Sequence, residues 1–216
     1  MSNAEHERPR HTGGDAASWD ARYAQAAQED STVWSTTPNA TVEAVLRGVE
    51  PGTAVDLAAG EGRNAIWLAG RGWDVTAVDF SSAGVDIGRR RAAAAHLEVT
   101  WVVGDVTRWA PRAPVDLVIL AYLQLSGPVL VPLLARAATW LRPGGRLLVV
   151  GHDRDNLDRG VGGPQDPAVL HTVDMLREGA AGLVVDRCEQ VARPVQTPEG
   201  ARQAVDTLLE AHRPQE

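Results

Sequence analysis

Short apolar runs alternate with longer amphipathic stretches along most of this chain. Five runs have the length and composition of buried strands, and they cover residues 54–57, 74–78, 99–103, 115–121 and 146–150. Helical patterns occupy the intervening stretches, at residues 19–28, 42–46, 64–69, 82–95 and 129–141. Thr41 is the expected N-cap of the second of these helices. Strands that are apolar on both faces are typical of a parallel sheet covered by helices on both sides. The pattern therefore predicts an α/β fold with a doubly wound, mostly parallel sheet.

Two further apolar stretches, residues 183–191 and 204–209, follow the fifth predicted strand without a long helix between them. We expect them to close the sheet as a C-terminal antiparallel hairpin, which makes seven strands in all. The second stretch also has a pattern compatible with a helix, so its type stays open at this stage.

Residues 151–172 do not fit this alternation, because they form a long segment rich in Gly, Asp, Arg and Pro. Loops of this length in compact domains are usually functional or disordered. A segment that follows the carboxyl end of a strand lies at the binding edge of the sheet. A substrate lid and a merely mobile loop are the two interpretations.

One domain accounts for residues 16–216. Residues 16–50 are expected to form N-terminal helices that cap a cofactor site, and residues 1–15 a disordered tail or cloning remnant. No apolar stretch is long enough to span a membrane. The N-terminus lacks the layout of a signal peptide, which suggests a cytoplasmic protein. The sequence does not distinguish a monomer from a homodimer.

Charge and composition exclude several classes of chemistry. The formal net charge is −7, and the only basic cluster is Arg89 to Arg91, so we expect no nucleic-acid partner. The chain contains no lysine, which excludes a P-loop and imine catalysis. The single cysteine, Cys188, excludes an internal disulfide and a cysteine-rich metal site. The six histidines are scattered, so no metal is expected.

The stretch VDLAAGEGRN, residues 55–64, joins the first predicted strand to a helix through two closely spaced glycines. Gly60, Gly62 and Ala65 satisfy a dinucleotide-binding pattern, and Asp79 follows at a suitable distance. However, Asp56 at the end of the strand would repel a pyrophosphate, whereas a ligand with an ammonium group would stabilise its buried charge.

Acidic residues also end the next two predicted strands, at Asp79 and Asp105. One carboxylate can bind ribose hydroxyls, and the next can accept a hydrogen bond from an adenine amine. Three acids at successive strand ends therefore indicate a nucleoside without phosphates and with a cationic tail. This description fits S-adenosylmethionine, whose product after methyl transfer is S-adenosylhomocysteine.

Five segments in this order resemble the class I S-adenosylmethionine-dependent methyltransferases. They are VDLAAGEGRN (55–64), AVDFS (77–81), GDV (104–106), VDLVILAYLQL (115–125) and LRPGGRLLVVGHD (141–153). Within the family, the GEGRN loop is most similar to the bacterial branch that includes tellurite-resistance and thiopurine methyltransferases. The chain departs from the usual loop at Ala58, where the family has Gly.

The resemblance implies a role for each matching position. Around methionine it places Asp56 on the ammonium, Arg63 on the carboxylate, and Ala58, Gly60 and Gly62 in the loop that passes the cofactor. Around the nucleoside it places Asp79 on the ribose, and Phe80, Asp105 and the Val106 amide around adenine. Ala121 and Tyr122 would flank the sulfonium and its methyl group.

Methyl transfer from a sulfonium is an in-line displacement that chiefly needs alignment and a dry pocket. Tyr122, His152 and Asp153 are the catalytic candidates, and His152 and Asp153 are the only well-placed bases. Trp19, Tyr23 and Trp34 form an aromatic roof over the cofactor or simply pack the N-terminal helix; the two interpretations remain open.

We expect a small-molecule acceptor: a thiol, a chalcogen oxyanion, or a phenol or amine. A non-catalytic module that binds S-adenosylmethionine is the first alternative. A nicotinamide-dependent oxidoreductase is the second, and the absence of lysine counts against it.

Overall fold

The structure, a computed structural model, describes residues 15–29, 31–198 and 200–215. Most of the predicted N-terminal tail, residues 1–14, lies outside the described residues. Asp15 is described, and its carboxylate caps the first helix by accepting a hydrogen bond from the Ser18 amide at 2.9 Å. Within the described part of the chain, no helix is long and apolar enough to cross a membrane.

Helices and strands alternate as the sequence predicts. The helices are α1 (Ala16–Gln28), α2 (Ala40–Leu46), α3 (Arg63–Ala69), α4 (Ser82–Ala94), α5 (Gly127–Trp140), α6 (Asn156–Arg159) and α7 (Val173–Gly179), with a 3₁₀ turn at Pro167–Val169. The strands are β1 (Thr53–Leu57), β2 (Asp74–Asp79), β3 (Thr100–Val103), β4 (Val115–Ala121), β5 (Leu141–His152), β6 (Val184–Thr197) and β7 (Gly200–His212).

Seven strands form one sheet in the order β3-β2-β1-β4-β5-β7-β6. The first five are parallel, and β7 pairs antiparallel with both β5 and β6. This confirms the doubly wound, mostly parallel sheet with a C-terminal antiparallel hairpin. It also decides the open question over residues 204–209, which belong to a strand. The sheet order reverses between β1 and β4, and ligands bind beside such a reversal, at the carboxyl ends of the strands.

Strand β4 shows why the parallel strands read as continuous apolar runs. Leu117 and Ile119 pack into the cluster that contains residues of α2 and α3 on one face of the sheet. Val118 and Leu120 pack into the cluster with α5 and α7 on the other face. Because both faces are covered, the middle of the strand is apolar on both sides.

Two local expectations need correction. Asn39, not Thr41, caps α2: its carboxamide oxygen accepts hydrogen bonds from the amides of Thr41 and Val42 at 3.0 and 3.1 Å. The segment 151–172 is also not devoid of regular structure, because it contains α6 and the 3₁₀ turn. Within it Asn156 and His171 are buried.

The β6–β7 hairpin is longer than the sheet edge to which it attaches. Strand β7 pairs with β5 only from His212 to Asp206, whereas it pairs with β6 out to Gly200. The remaining ladder, residues 192–198 and 200–205, extends past the carboxyl end of β5 and is called the hairpin arm below. It therefore projects at the same edge as the predicted cofactor site.

Candidate functional site

The loop between β1 and α3 takes left-handed backbone at three positions. The φ angles are 59° at Ala58, 55° at Gly60 and 76° at Gly62. A Cβ at Gly60 would lie 2.5 Å from the Tyr23 hydroxyl oxygen, and a Cβ at Gly62 would overlap the ring of Trp101. Both glycines are therefore required by space as well as by φ. Ala58 has the same conformation with a Cβ, which is a strained arrangement for an L-residue.

Asp56 is the last residue but one of β1, just before this loop, and is 1% exposed. Its Oδ2 atom has no hydrogen-bond partner among the described residues. Burial raises the pKa of this carboxyl to about 7, although the charge of Arg63 partly opposes the increase. A buried acid with an unsatisfied oxygen fits an ammonium group, which would restore the charged form and supply the missing donor.

Asp79 ends the neighbouring strand β2 and is 3% exposed. One carboxylate oxygen accepts from the Gly60 amide and the other from the Ser81 amide, each at 2.8 Å. Burial raises the pKa of Asp79, and these two amides oppose the increase. They fix the carboxylate plane, and each oxygen keeps a lone pair that can accept from a ribose hydroxyl.

The predicted adenine contacts lie further along the same edge. Phe80 is half-buried directly after β2, Asp105 is exposed after β3, and Val106 is buried. Asp105 Oδ1 accepts from the Thr107 amide at 2.8 Å and from the Thr107 hydroxyl at 2.7 Å. Asp105 therefore organises its own turn, and no described residue donates a hydrogen bond to its Oδ2.

Aromatic residues from the N-terminal segment cover the loop. The Trp34 indole donates to the Tyr23 hydroxyl at 3.1 Å, and the ring of Trp19 lies 6.0 Å from that of Trp34 and 5.7 Å from that of Tyr23. Tyr23 is 3% exposed and packs against Gly60 and Gly84. This geometry is consistent with both interpretations of the roof, since the same residues pack α1 and cover the loop.

The predicted sulfonium contacts stand at the end of β4, across the sheet from the adenine edge. Tyr122 follows Ala121 with a φ of 62°. Its hydroxyl donates to Asp206 Oδ2 at 2.6 Å and accepts from the Asn39 side-chain nitrogen at 3.4 Å. The guanidinium carbon of Arg63 lies 5.9 Å from the Tyr122 ring centroid and 5.5 Å from that of Trp34. Tyr122 and Arg63, two of the candidate site residues, thus lie side by side.

His152 ends β5 beside Tyr122, with ring centroids 4.9 Å apart. Its Nδ1 lies 3.3 Å from Asp206 Oδ1, within ion-pair distance but without hydrogen-bond alignment. A Cβ at Gly163 would lie 2.9 Å from the imidazole, so the segment after β5 covers this ring. His152 therefore has a carboxylate beside one nitrogen and a loop over its face.

Asp153 stands in a different environment. It is 2% exposed, and its Oδ1 accepts from the Asp155 amide at 2.8 Å and the Gln190 side chain at 2.9 Å. Its Oδ2 accepts from the Thr207 hydroxyl. These bonds fasten the segment after β5 to β6 and β7. The geometry favours a structural role for Asp153 and leaves His152 as the base candidate.

Two residues of this cluster were missed in the sequence, Asp206 on β7 and Arg193 on β6. Asp206 is fully buried, and burial alone would raise its pKa. The contacts with His152, Arg193 and Tyr122 outweigh burial and lower the pKa of Asp206. The sequence did contain a signal, because Ala-Val-Asp occurs at residues 54–56, 77–79 and 204–206. In all three cases the acid lies at the binding edge.

No group of three or more His, Cys, Asp or Glu side chains within the described ranges is placed to hold a metal ion.

Comparisons with known proteins agree with this geometry. Residues 54–145 match the family model described as "Methyltransferase domain". The chain is 38% identical over 113 residues to demethylmenaquinone methyltransferase of Beutenbergia cavernae. The aligned segment is 51% of this chain and 44% of the relative. It is 31% identical over 109 residues to ribosomal RNA small subunit methyltransferase C of Alcanivorax borkumensis, which covers 48% and 33%. The chain thus spans less than half the length of these curated relatives.

Solved structures share the fold. TehB from Haemophilus influenzae superposes with a TM-score of 0.70 at 16% identity, over 83% of this chain and 63% of that one. Magnesium protoporphyrin IX methyltransferase from Synechocystis PCC 6803 with bound S-adenosylmethionine gives 0.60 at 20% identity, over 80% and 78%. The family match, the fold and the acids at the strand ends agree with one another. Residues 54–145 match a methyltransferase domain, and the sheet has the fold of the solved magnesium protoporphyrin IX methyltransferase.

Proposed function

We propose that this protein transfers a methyl group from S-adenosylmethionine to a small-molecule acceptor by in-line displacement. One observation carries the proposal: Asp56 and Asp79 lie at the carboxyl ends of adjacent parallel strands, a left-handed loop follows the first strand, and Asp56 keeps an unsatisfied buried oxygen. A zwitterionic amino acid joined to a nucleoside satisfies both acids at once.

The cofactor would be held along the carboxyl edge of the sheet. Asp56 takes the ammonium and Arg63 the carboxylate of methionine, while Gly60 and Gly62 let the chain pass closely. Asp79 takes the ribose hydroxyls. Phe80, Asp105 and the Val106 amide surround adenine, and Ala58, Ala121, Tyr23 and Trp34 complete the pocket. Tyr122 then stands beside the transferred methyl.

The bound cofactor supplies an electrophilic methyl group on a good leaving group. The chain contributes alignment and exclusion of water, which in favourable cases lower a barrier by roughly 7–11 kcal/mol. His152 accepts the proton of a hydroxyl or amine acceptor, and Asp206 Oδ1 lies 3.3 Å from its Nδ1. A thiol, which is more acidic, needs less help from a base.

The proposed acceptor is a small molecule because the chain has a net charge of −7 and its only run of basic residues is Arg89 to Arg91. The tellurite-resistance and thiopurine branch remains a prediction, supported by the GEGRN loop and by the shared fold of TehB. The ribosomal RNA relative makes RNA the acceptor class to test against.

Calorimetric titration of S-adenosylmethionine, S-adenosylhomocysteine and NADH tests the cofactor. We expect micromolar binding of both adenosyl ligands and none of NADH. Asp79→Ala should abolish binding, whereas Asp74→Ala, at the opposite end of the same strand, should leave it unchanged. Preference for NADH would favour the oxidoreductase, and equal loss in both variants would remove Asp79 from the site.

Formation of S-adenosylhomocysteine with panels of thiols, phenols, amines, selenite and tellurite, alongside total RNA, tests the transfer itself. Turnover of RNA alone would contradict the small-molecule acceptor. Tight cofactor binding without turnover of any panel would favour the non-catalytic module.

A further inference from the structure

The hairpin arm carries its charges on one face only. Cross-strand partners in an antiparallel ladder share a face, so Arg193 lies with Ala204 and Val195 with Arg202. Val191 and Asp206 form the base of this face, where Arg193 binds Asp206. The opposite face carries no charged residue: its members are Ala192, Pro194, Gln196, Ala201, Gln203 and Val205. The face that meets Tyr122 thus holds two arginines and one acid.

Asp206 uses only some of the hydrogen-bond donors of Arg193. The Arg193 Nε lies 2.7 Å from Oδ2 and its Nη2 3.5 Å from Oδ1, while Nη1 makes no hydrogen bond to the described residues. The side chain is 27% exposed, whereas that of Asp206 is 0% exposed. One edge of the guanidinium is therefore fixed by the fold, and the other keeps donors without a partner among the described residues.

Tyr122 brings this guanidinium to the reacting centre. The Arg193 guanidinium carbon lies 5.4 Å from the Tyr122 ring centroid, and the Tyr122 hydroxyl and Arg193 share Asp206 Oδ2. Arg63 lies by the same ring but is assigned to the methionine carboxylate. Of the two arginines beside the Tyr122 ring, Arg193 is consequently the one left for a second ligand on the acceptor side.

We propose that Arg193 forms an anion-binding subsite for the methyl acceptor, so that the acceptor carries a carboxylate or a similar anionic group. The inference rests on the proposed methyl transfer. A guanidinium held rigidly on one edge binds an oxyanion on the other with little loss of side-chain entropy. The subsite selects and orients the acceptor, and His152 on the other side of Asp206 stays free to take a proton.

Matched acids and amides provide the test. The probes are 4-hydroxybenzoate and 4-hydroxybenzamide, 4-aminobenzoate and 4-aminobenzamide, and mercaptoacetate and mercaptoacetamide, titrated into the protein with and without S-adenosylhomocysteine. At least one acid should bind tenfold or more tightly than its amide. Arg193→Gln should weaken that acid tenfold or more and its amide less than twofold.

Arg187→Gln is the matched control. Arg187 is also on β6 and also pairs with an acid of β7, Glu210 at 2.7 Å, but it lies away from Tyr122. This variant should keep the acid preference. Arg193→Lys, which retains the charge but not the planar fork, should lose at least threefold in acid affinity. If circular dichroism shows that Arg193→Gln is unfolded, Arg193→Lys is used in its place.

The proposal is overturned if no acid binds at millimolar concentration, if amides bind as tightly as acids, or if Arg193 variants weaken both members equally. Binding of S-adenosylhomocysteine is measured separately in every variant. If the unmodified protein does not bind S-adenosylhomocysteine, the proposed function is overturned. The preference for acids over amides, measured without S-adenosylhomocysteine, still tests the role of Arg193 in that case.

Discussion

At the scale of single residues, Ala58 is the most unusual feature of the cofactor loop. Its left-handed φ of 59° costs an L-residue about 1–2 kcal/mol relative to ordinary backbone, and glycine avoids this cost. We expect Ala58→Gly to raise the free energy of unfolding by about 1 kcal/mol, measured by urea denaturation.

Ala59→Gly is the control, because Ala59 is not among the positive-φ residues. It should lower the free energy of unfolding by roughly 0.4–1 kcal/mol through the greater freedom of the unfolded chain. Equal effects in the two variants would contradict the strain at Ala58.

Asp56 makes cofactor binding depend on pH. Its pKa of about 7 in the free protein means that it is largely protonated below neutral pH, whereas a bound ammonium requires the carboxylate. Affinity for S-adenosylhomocysteine should therefore fall by up to tenfold per pH unit below about 7, with release of one proton on binding. Calorimetry at pH 6 in buffers of different ionisation enthalpy measures that proton.

The same shift has the opposite consequence for the free protein. Because the folded state holds the Asp56 proton more tightly than the unfolded state, this group stabilises the fold most below about pH 4, and the contribution is lost as pH rises through about 7.

Asp56→Asn is the control for the calorimetry: this variant should release no proton when S-adenosylhomocysteine binds. Persistent release in that variant would assign the proton to another group.

Asp56 and Asp79 were identifiable from sequence because an acid at the end of an apolar strand is conspicuous. Asp206 has the same local signature, yet its strand was ambiguous with a helix, so its position at the site edge did not follow. Arg193 had no local signal at all. Its role depends on the register of β6 against β7, which is a long-range property of the fold.

At the scale of elements, the hydrogen bonds between α1 and the start of α4 in the described structure all come from one side chain. Asp20 accepts from the Ser81 hydroxyl at 2.5 Å and the Ala83 amide at 3.0 Å. This bond places Tyr23 over Gly60. Asp20→Ala should lower the free energy of unfolding by about 1 kcal/mol, as loss of a helix cap does. It should also weaken S-adenosylhomocysteine binding several-fold, measured by urea denaturation and calorimetry.

Asp86→Ala is the comparison for Asp20. Asp86 is an exposed acid of the same helix α4 that pairs only with Arg89 at 2.9 Å. Asp86→Ala should change neither the free energy of unfolding nor the free energy of S-adenosylhomocysteine binding by more than about 0.5 kcal/mol. Unchanged cofactor affinity in Asp20→Ala would show that α1 packs on the domain without ordering the site.

The proposed lid is restricted by how its ends are held. The His171 amide bonds to the His152 carbonyl at 2.9 Å, and the Asn156 carboxamide oxygen accepts from the Val205 amide at 2.7 Å. Any closing motion is thus confined to the residues between Asn156 and His171. Composition predicted a loop here but not these anchors, because they are formed with β5 and β7.

At the scale of the whole molecule, the cofactor should act as a stabilising ligand. A ligand that binds only the folded state at a hundred times its Kd adds about 2.7 kcal/mol to the free energy of unfolding. For a chain of this size that corresponds to a rise in Tm of roughly 5–10 °C. Thermal denaturation with S-adenosylhomocysteine measures it, and Asp79→Ala, which should not bind, provides the baseline.

The alternation of apolar runs and helices was sufficient to predict the sheet and its C-terminal hairpin. It did not predict the length of β5 through Leu141–His152, since Pro143 and Gly144 normally end regular structure. Nor did it predict the hairpin arm, because nothing local shows where β7 leaves β5.

The arm divides the hairpin into two parts that differ in how they open. Residues 206–212 of β7 are hydrogen-bonded on both sides, to β5 and to β6, whereas β7 residues 200–205 have a ladder only to β6. Amide hydrogens of the arm, apart from that of Val205, which donates to Asn156, should therefore exchange with solvent through local fraying, and those of residues 206–212 only through larger opening of the sheet. The outer end of the arm can then rearrange around different ligands while the rest of the sheet stays closed.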